Sequence, residues 1–157
     1  VVPIFQQQIE AGGPITVTHP DAERYFMTAR EAAGLILLAA TIGHNQEIYL
    51  LDMGDPVNIN SLAHTMIELS GMIPDQDIKI IYTGLKKGEK LTESLSSEQE
   101  ILSETLYPKI MRVNNSNTAE FNLETVDDFI QSAPNMESAT IKQNIQKFVT
   151  DFTTTDV

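Results

Sequence analysis

The stretch between Thr28 and Asp52 constrains this 157-residue chain more than any other. Thr28 followed by Glu31 forms a capping box and Gly43 is a stop, so a helix is predicted between them. Inside it Ala32, Ala33, Leu35, Ile36, Leu37, Leu38, Ala39 and Ala40 run almost all the way round, and a helix without a polar face is normally covered on more than one side. Burial of a Leu or Ile is worth about 1.5–3 kcal/mol, so leaving four of them in water would forfeit on the order of 6–12 kcal/mol, comparable to the stability of a whole domain. Directly afterwards Glu47-Ile-Tyr-Leu-Leu-Asp52 reads as a strand with a near-continuous apolar run, the pattern of a parallel strand buried on both faces. Helix and strand resemble one unit of a doubly wound sheet whose other strands the sequence does not supply. The expected class is α/β, and the segment is expected to be covered by something larger.

The remaining elements follow from punctuation and periodicity. Pro3 suits a first helical turn, and the helix continues over residues 5–11 to the Gly12-Gly13-Pro14 breaker. Residues 15–18 and 23–27 read as strands around a His19-Pro20-Asp21 turn. Asn60 is expected to cap a helix over 61–70, with Gly71 ending it. A strand over 78–82, a loop over 84–88, a polar and partly helical stretch over 89–103 and a short strand over 109–113 follow. Residues 114–118 read as a linker. Amphipathic helices over 123–132 and 138–152 close the chain, so that 119–157 is a helical C-terminal extension of one domain spanning 1–157. No internal repeat is present.

Composition removes several classes of function. No run approaches the roughly 20 apolar residues of a membrane span. Without cysteine there are no disulfides, no thiolate catalysis and no sulfur-ligated zinc, and cytoplasm is the default compartment. A net charge of −12 argues against nucleic acid, which needs clustered Lys and Arg, and the one tight basic group is Lys86, Lys87 and Lys90. The chain begins on an apolar Val1-Val-Pro-Ile-Phe run without a polar lead, which reads as a cut through something longer.

Reaction chemistry is sparse. No GxGxxG loop is present to admit a dinucleotide pyrophosphate. Tyr82 and Lys86 match a YxxxK spacing, but across a strand end and a glycine loop, where the two side chains need not face each other. His19, His44 and His64 lack metal-ligand spacing, and a local hydrogen bond suits His19 in its Thr-His-Pro turn. Asp127 and Asp128 fall on the solvated side of a helix. No catalytic, metal-binding or cofactor-binding residue is expected. What remains is anion binding: Arg24 at a strand start, and Lys86 with Gly88 and Glu89 in a loop after a strand, where α/β folds place ligands.

Five stretches in order extend this reading. They are Val1-Val-Pro-Ile-Phe-Gln-Gln-Gln-Ile9, Gly12-Gly-Pro-Ile-Thr-Val-Thr-His-Pro20, Arg24-Tyr-Phe-Met-Thr28, Leu51-Asp-Met-Gly-Asp-Pro-Val57 and Thr83-Gly-Leu-Lys-Lys-Gly-Glu-Lys-Leu91. Together they resemble the polysaccharide-biosynthesis nucleotide-sugar dehydratases, of the UDP-N-acetylglucosamine 4,6-dehydratase type, in the extended short-chain dehydrogenase/reductase superfamily. The resemblance implies the C-terminal, substrate-binding portion of a Rossmann-type fold, without the N-terminal half that holds NADP or NAD and the acid/base residues. It also implies a UDP-sugar ligand, with Val2 and Pro3 beside the nucleotide, Arg24 on the diphosphate, and Lys86 and Glu89 near phosphate and ribose. Lys86 stands where the family usually has arginine, a point charge in place of a bidentate fork. The whole enzyme would yield a 4-keto-6-deoxy sugar. An epimerase of the same superfamily, or a non-catalytic binding module, is the alternative. A homo-oligomeric parent is expected, in some relatives anchored at the inner membrane. The isolated chain is expected to self-associate or rearrange through the face of the 29–42 helix.

Overall fold

The computed structural model describes residues 1–97, 100–114 and 122–149. Helix α1 (Val2–Glu10) begins with Pro3 in its first turn and buries Phe5 and Ile9. After the glycine breaker, β1 (Ile15–Val17) alternates buried, exposed, buried, and β2 (Glu23–Arg24) is a shorter element than the 23–27 strand expected. Helix α2 (Ala29–Ile42) starts on Thr28, whose Oγ1 accepts the Glu31 amide at 3.1 Å, as the capping box predicts. Strands β3 (Ile48–Leu51) and β4 (Val57–Asn58) lead to α3 (Ile59–Leu69). Next come β5 (Ile80–Tyr82), β6 (Ile101–Glu104) and β7 (Ile110–Asn114). Helices α4 (Leu123–Ser132) and α5 (Ser138–Phe148) end the described chain, joined through a short 3-10 turn at Ala133–Asn135.

The main core lies where α1 and α3 cover a parallel β1–β5 pair, Ile15 opposite Ile80 and Val17 opposite Tyr82. Ile15, Val17, Ala63, Ile67 and Ile78 are essentially inaccessible there. Strands β2 and β4 pair antiparallel at one side, which brings Arg24 opposite Val57. A separate antiparallel sheet has the order β3-β7-β6, with Ile110 and Val113 buried. Helix α2 is tied to this sheet. Tyr49 Oη, which donates to Glu47 Oε2 at 2.6 Å, lies 3.3 Å from the Ile42 carbonyl, and Lys109 Nζ reaches Glu31 at 2.6 Å.

The mixed α/β class is as expected, but three local expectations are corrected. Strand β3 is antiparallel, not parallel, and is half-exposed; its partner β7 comes from this chain. The cap of α3 is Asn58, not Asn60, because Asn58 Oδ1 accepts the Ser61 amide at 2.8 Å while its Nδ2 donates to the Pro20 carbonyl at 3.0 Å. Among the described residues of 89–103 none is helical. The backbone is drawn out instead, by the Glu23 amide on the Leu91 carbonyl at 3.0 Å and by the pairing of 101–104 with β7. The predicted linker beyond 114 lies outside the described residues, and the predicted 138–152 helix ends at Phe148 with Val149 extended, residues 150–152 lying outside the described residues.

The apolar excess of α2 is real. Only Leu35 is buried, at 8% exposure, whereas Ile36, Leu37 and Leu38 stand 59%, 70% and 37% exposed. No described helix is long and apolar enough to cross a membrane.

Candidate functional site

A cleft of about 390 Å³ opens beside the main core. Its apolar wall comes from Val1, the N-cap of α1, and Ile4 and Phe5 on that helix, with Val17, Ala22 and Ile59, and its polar side from Thr16, Thr18, Arg24, Thr83, Lys86 and Glu89. Parallel pairing positions the polar side. The Thr83 amide continues the β1–β5 ladder onto the Val17 carbonyl at 2.9 Å, so Thr18 and the loop after β5 leave the sheet together.

Glu89 is the hub of that side. Its Oε1 accepts from Arg24 Nη2 at 3.0 Å and from the Thr18 hydroxyl at 3.1 Å, and its Oε2 accepts from the Lys86 amide at 3.1 Å. The Glu89 amide returns to the Lys86 carbonyl at 2.9 Å, closing a turn in which Gly88 has φ of +80°, a conformation costly for other residues. Arg24 Nη1 donates to the Glu23 and Leu91 carbonyls at 2.7 and 2.9 Å. A guanidinium has five N–H donors in a fixed fork. Three bonds therefore lock its plane and leave donors for an incoming anion. The Arg24 and Glu89 side chains are only 22% and 23% exposed, so the pair is shielded from solvent more than a surface ion pair.

The Lys86 amide, the Thr18 hydroxyl and the Arg24 charge hold the Glu89 carboxyl below its ordinary value of 4.5, against the opposing effect of burial. A depressed carboxyl stabilises the folded loop above the ordinary value and loses that contribution as pH falls through the lowered one. Loop order, followed by the Lys86 and Glu89 amide resonances, is expected to be constant above pH 4.5 and to decline below it. Glu89→Gln should abolish that step. Glu47, at the start of β3, follows the same sign more strongly. The Tyr49 hydroxyl, the His44 amide and Arg112 lower it to about 2.

Of the residues singled out in the sequence, Arg24, Lys86 and Glu89 converge on the cleft. Val2 and Pro3 do not line it. They occupy the same helical turn, but Val1, Ile4 and Phe5 are the side chains on the wall. Thr16, Thr18 and Thr83 also line the cleft and were not singled out as site residues, although all three fall inside stretches that carry the resemblance. His19 has the local role expected, its Nδ1 accepting the Asp21 amide at 3.2 Å. Tyr82 Oη donates to Asn60 Oδ1 at 3.0 Å, a bond made away from the cleft side chains. No group of three or more metal-competent side chains occurs among the described residues.

An α/β domain with a mostly apolar cleft at the ends of two parallel strands, rimmed by three threonines, Arg24, Lys86 and Glu89, has the form in which α/β folds place small-molecule sites. The chain belongs to the polysaccharide biosynthesis protein family, whose profile matches residues 1–115. It is 47% identical over 110 residues to the probable polysaccharide biosynthesis protein EpsC of Bacillus subtilis, covering 70% of this chain and 18% of EpsC. It is 48% identical over 112 residues to the capsular polysaccharide biosynthesis protein CapD of Staphylococcus aureus, covering 71% of this chain and 18% of CapD. A UDP-glucose 4-epimerase of Rickettsia massiliae is 31% identical over 101 residues, 64% of this chain and 28% of the epimerase. Among solved structures, Pen from Bacillus thuringiensis superposes with a TM-score of 0.61 at 31% identity, over 74% of this chain and 35% of Pen. The chain thus spans only a minor part of the length of these relatives.

Proposed function

We propose that this chain forms the substrate side of a nucleotide-sugar 4,6-dehydratase of surface polysaccharide biosynthesis, which turns a UDP-N-acetylhexosamine into a 4-keto-6-deoxy sugar with net loss of one water. The observation that carries the reading is the Arg24 fork, fixed by Glu89 and two carbonyls on the rim of a cleft with an apolar wall. A fixed guanidinium matches a diphosphate bidentately, and its orientation is set before the ligand arrives. Lys86 adds a second positive charge beside the same rim. The apolar wall from α1 suits the face of a nucleobase or sugar ring. Glu89, whose two oxygens are engaged by three donors, acts as a positioning residue for the arginine.

Among the described residues no glycine-rich turn is placed to hold the nicotinamide cofactor that such chemistry uses. Neither the loop after β1 nor that after β5 is a glycine-rich turn running into a helix, and no described acid/base pair lines the cleft apart from the engaged Glu89. The part of this chain is to bind and orient the substrate, and the redox chemistry belongs to another part of the complete enzyme. The exposed face of α2 is then where that part packs.

Titrating UDP-N-acetylglucosamine and NADP separately into the chain tests the reading. The sugar nucleotide is expected to shift resonances around Arg24, Lys86 and Thr18, and NADP to shift none. Tight NADP binding would overturn it. Lys86→Arg is expected to raise UDP affinity a few-fold by supplying a second fork. The similarity to a UDP-glucose 4-epimerase favours an epimerase as the second reading. Mass analysis of the product of the complete enzyme separates the two, because dehydration lightens the sugar by one water and epimerisation leaves its mass unchanged.

A further inference from the structure

We propose that Gln8 is a positioning residue for the substrate: it commits the Thr16 hydroxyl to donating a hydrogen bond to an acceptor oxygen of the ligand, an inference that rests on the function proposed above. Among the described strands β1 pairs with β5 alone. The Ile15 amide donates to the Lys79 carbonyl at 2.9 Å and the Val17 carbonyl accepts the Thr83 amide at 2.9 Å, so Thr16, between them, turns its amide to the open edge of β1. There Gln8 Oε1 accepts it at 3.0 Å, where a further strand would otherwise pair. A backbone N–H can only donate, so this bond decides which way round the Gln8 amide stands. Its Nε2 is thereby aimed at Thr16 Oγ1, 2.8 Å away. Nε2 also only donates, so Oγ1 accepts, and the hydroxyl keeps its own proton, which it donates to no described residue.

Thr16 lines the cleft and Gln8 does not, so whatever Gln8 does for a ligand passes through Thr16. Thr18 has the opposite polarity. Its hydroxyl donates to Glu89 Oε1 at 3.1 Å and is left to accept. The two threonines therefore offer the cleft one donor and one acceptor, each set by a neighbouring side chain before a ligand arrives. Gln8 follows Ile4 of the apolar wall by one helical turn, which puts the Thr16 donor beside that wall. Its match is a carbonyl or hydroxyl oxygen on a base or sugar ring seated there.

Chemical-shift titration of the chain with UDP and with UDP-N-acetylglucosamine tests this. Thr16→Val, which keeps the shape and removes the hydroxyl, should weaken binding about three- to tenfold, the worth of one neutral hydrogen bond. In Gln8→Glu the carboxylate still accepts the Thr16 amide, but its second oxygen draws the hydroxyl proton away from the ligand. Adding Thr16→Val to Gln8→Glu should therefore change affinity less than about twofold, and any effect of the new charge cancels between those two variants. A second readout needs no change at Gln8: the ligand that Thr16 recognises should shift the Gln8 side-chain amide resonances in the wild type and leave them in place in Thr16→Val. A loss seen with UDP puts the acceptor on the nucleotide, and a loss seen only with UDP-N-acetylglucosamine puts it on the sugar. Equal losses from Thr16→Val in both backgrounds, or none in either, would overturn the positioning role and leave the substrate reading intact, whereas a wild type that binds neither ligand would overturn both.

Discussion

On the function proposed above, replacing Arg24 with alanine in the complete enzyme is expected to lower kcat/KM for the UDP-sugar by about a hundredfold, within the 2–5 kcal/mol that truncating one partner of a shielded charge pair costs. Two losses combine. The diphosphate loses its fixed fork, and Glu89 keeps its negative charge on the cleft rim with Thr18 and the Lys86 amide as its remaining partners. Arg24→Lys should recover part of the loss, because it restores the charge without the planar fork. A measurement in which alanine and lysine behave alike would show that packing rather than anion recognition makes Arg24 matter. Unchanged kinetics in both would remove Arg24 from the substrate site.

Ile67→Ala is expected to lower the unfolding free energy by about 2–5 kcal/mol, a large fraction of a typical domain's 5–15 kcal/mol. Ile67 is fully buried between α3 and the parallel pair, with Ala63, Ile15 and Ile78 in the same cluster, so its truncation leaves a cavity. Leu37→Ala provides the contrast. At 70% exposure it should change stability little in the isolated chain. Urea denaturation of both variants checks the pair. A Leu37→Ala cost near that of Ile67→Ala would mean that α2 is covered in solution even when the chain is alone, through self-association or rearrangement.

Much of the fold was legible where a local signal sufficed. The Thr28 and Glu31 box placed the start of α2, and the 3.6-residue periodicity placed α4 on the residues observed, Leu123–Ser132. Direction of pairing was not legible. Ile-Tyr-Leu-Leu has the same composition in a parallel or an antiparallel strand, and its partner β7 lies far downstream, so register is decided by tertiary contacts. The choice between Asn58 and Asn60 was hidden for a similar reason. Either amide can cap a helix, but only Asn58 also reaches Pro20 across the β2–β4 corner. At the site the residue types were readable and their convergence was not. Arg24 and Glu89 are 65 positions apart, and nothing local announces that one carboxylate will meet a guanidinium, a hydroxyl and a backbone amide.

The order of elements along the chain has a mechanical consequence. The backbone visits the α1–β1–α3–β5 body, leaves for α2 and β3, returns for β4, α3 and β5, and departs again for β6 and β7. The two bodies are laced together like the halves of a shoe, and the final crossing begins with the strap that bears Lys86 and Glu89. Displacing the three-stranded sheet from the main core would therefore pull on a segment whose first residues form the Lys86–Glu89 turn.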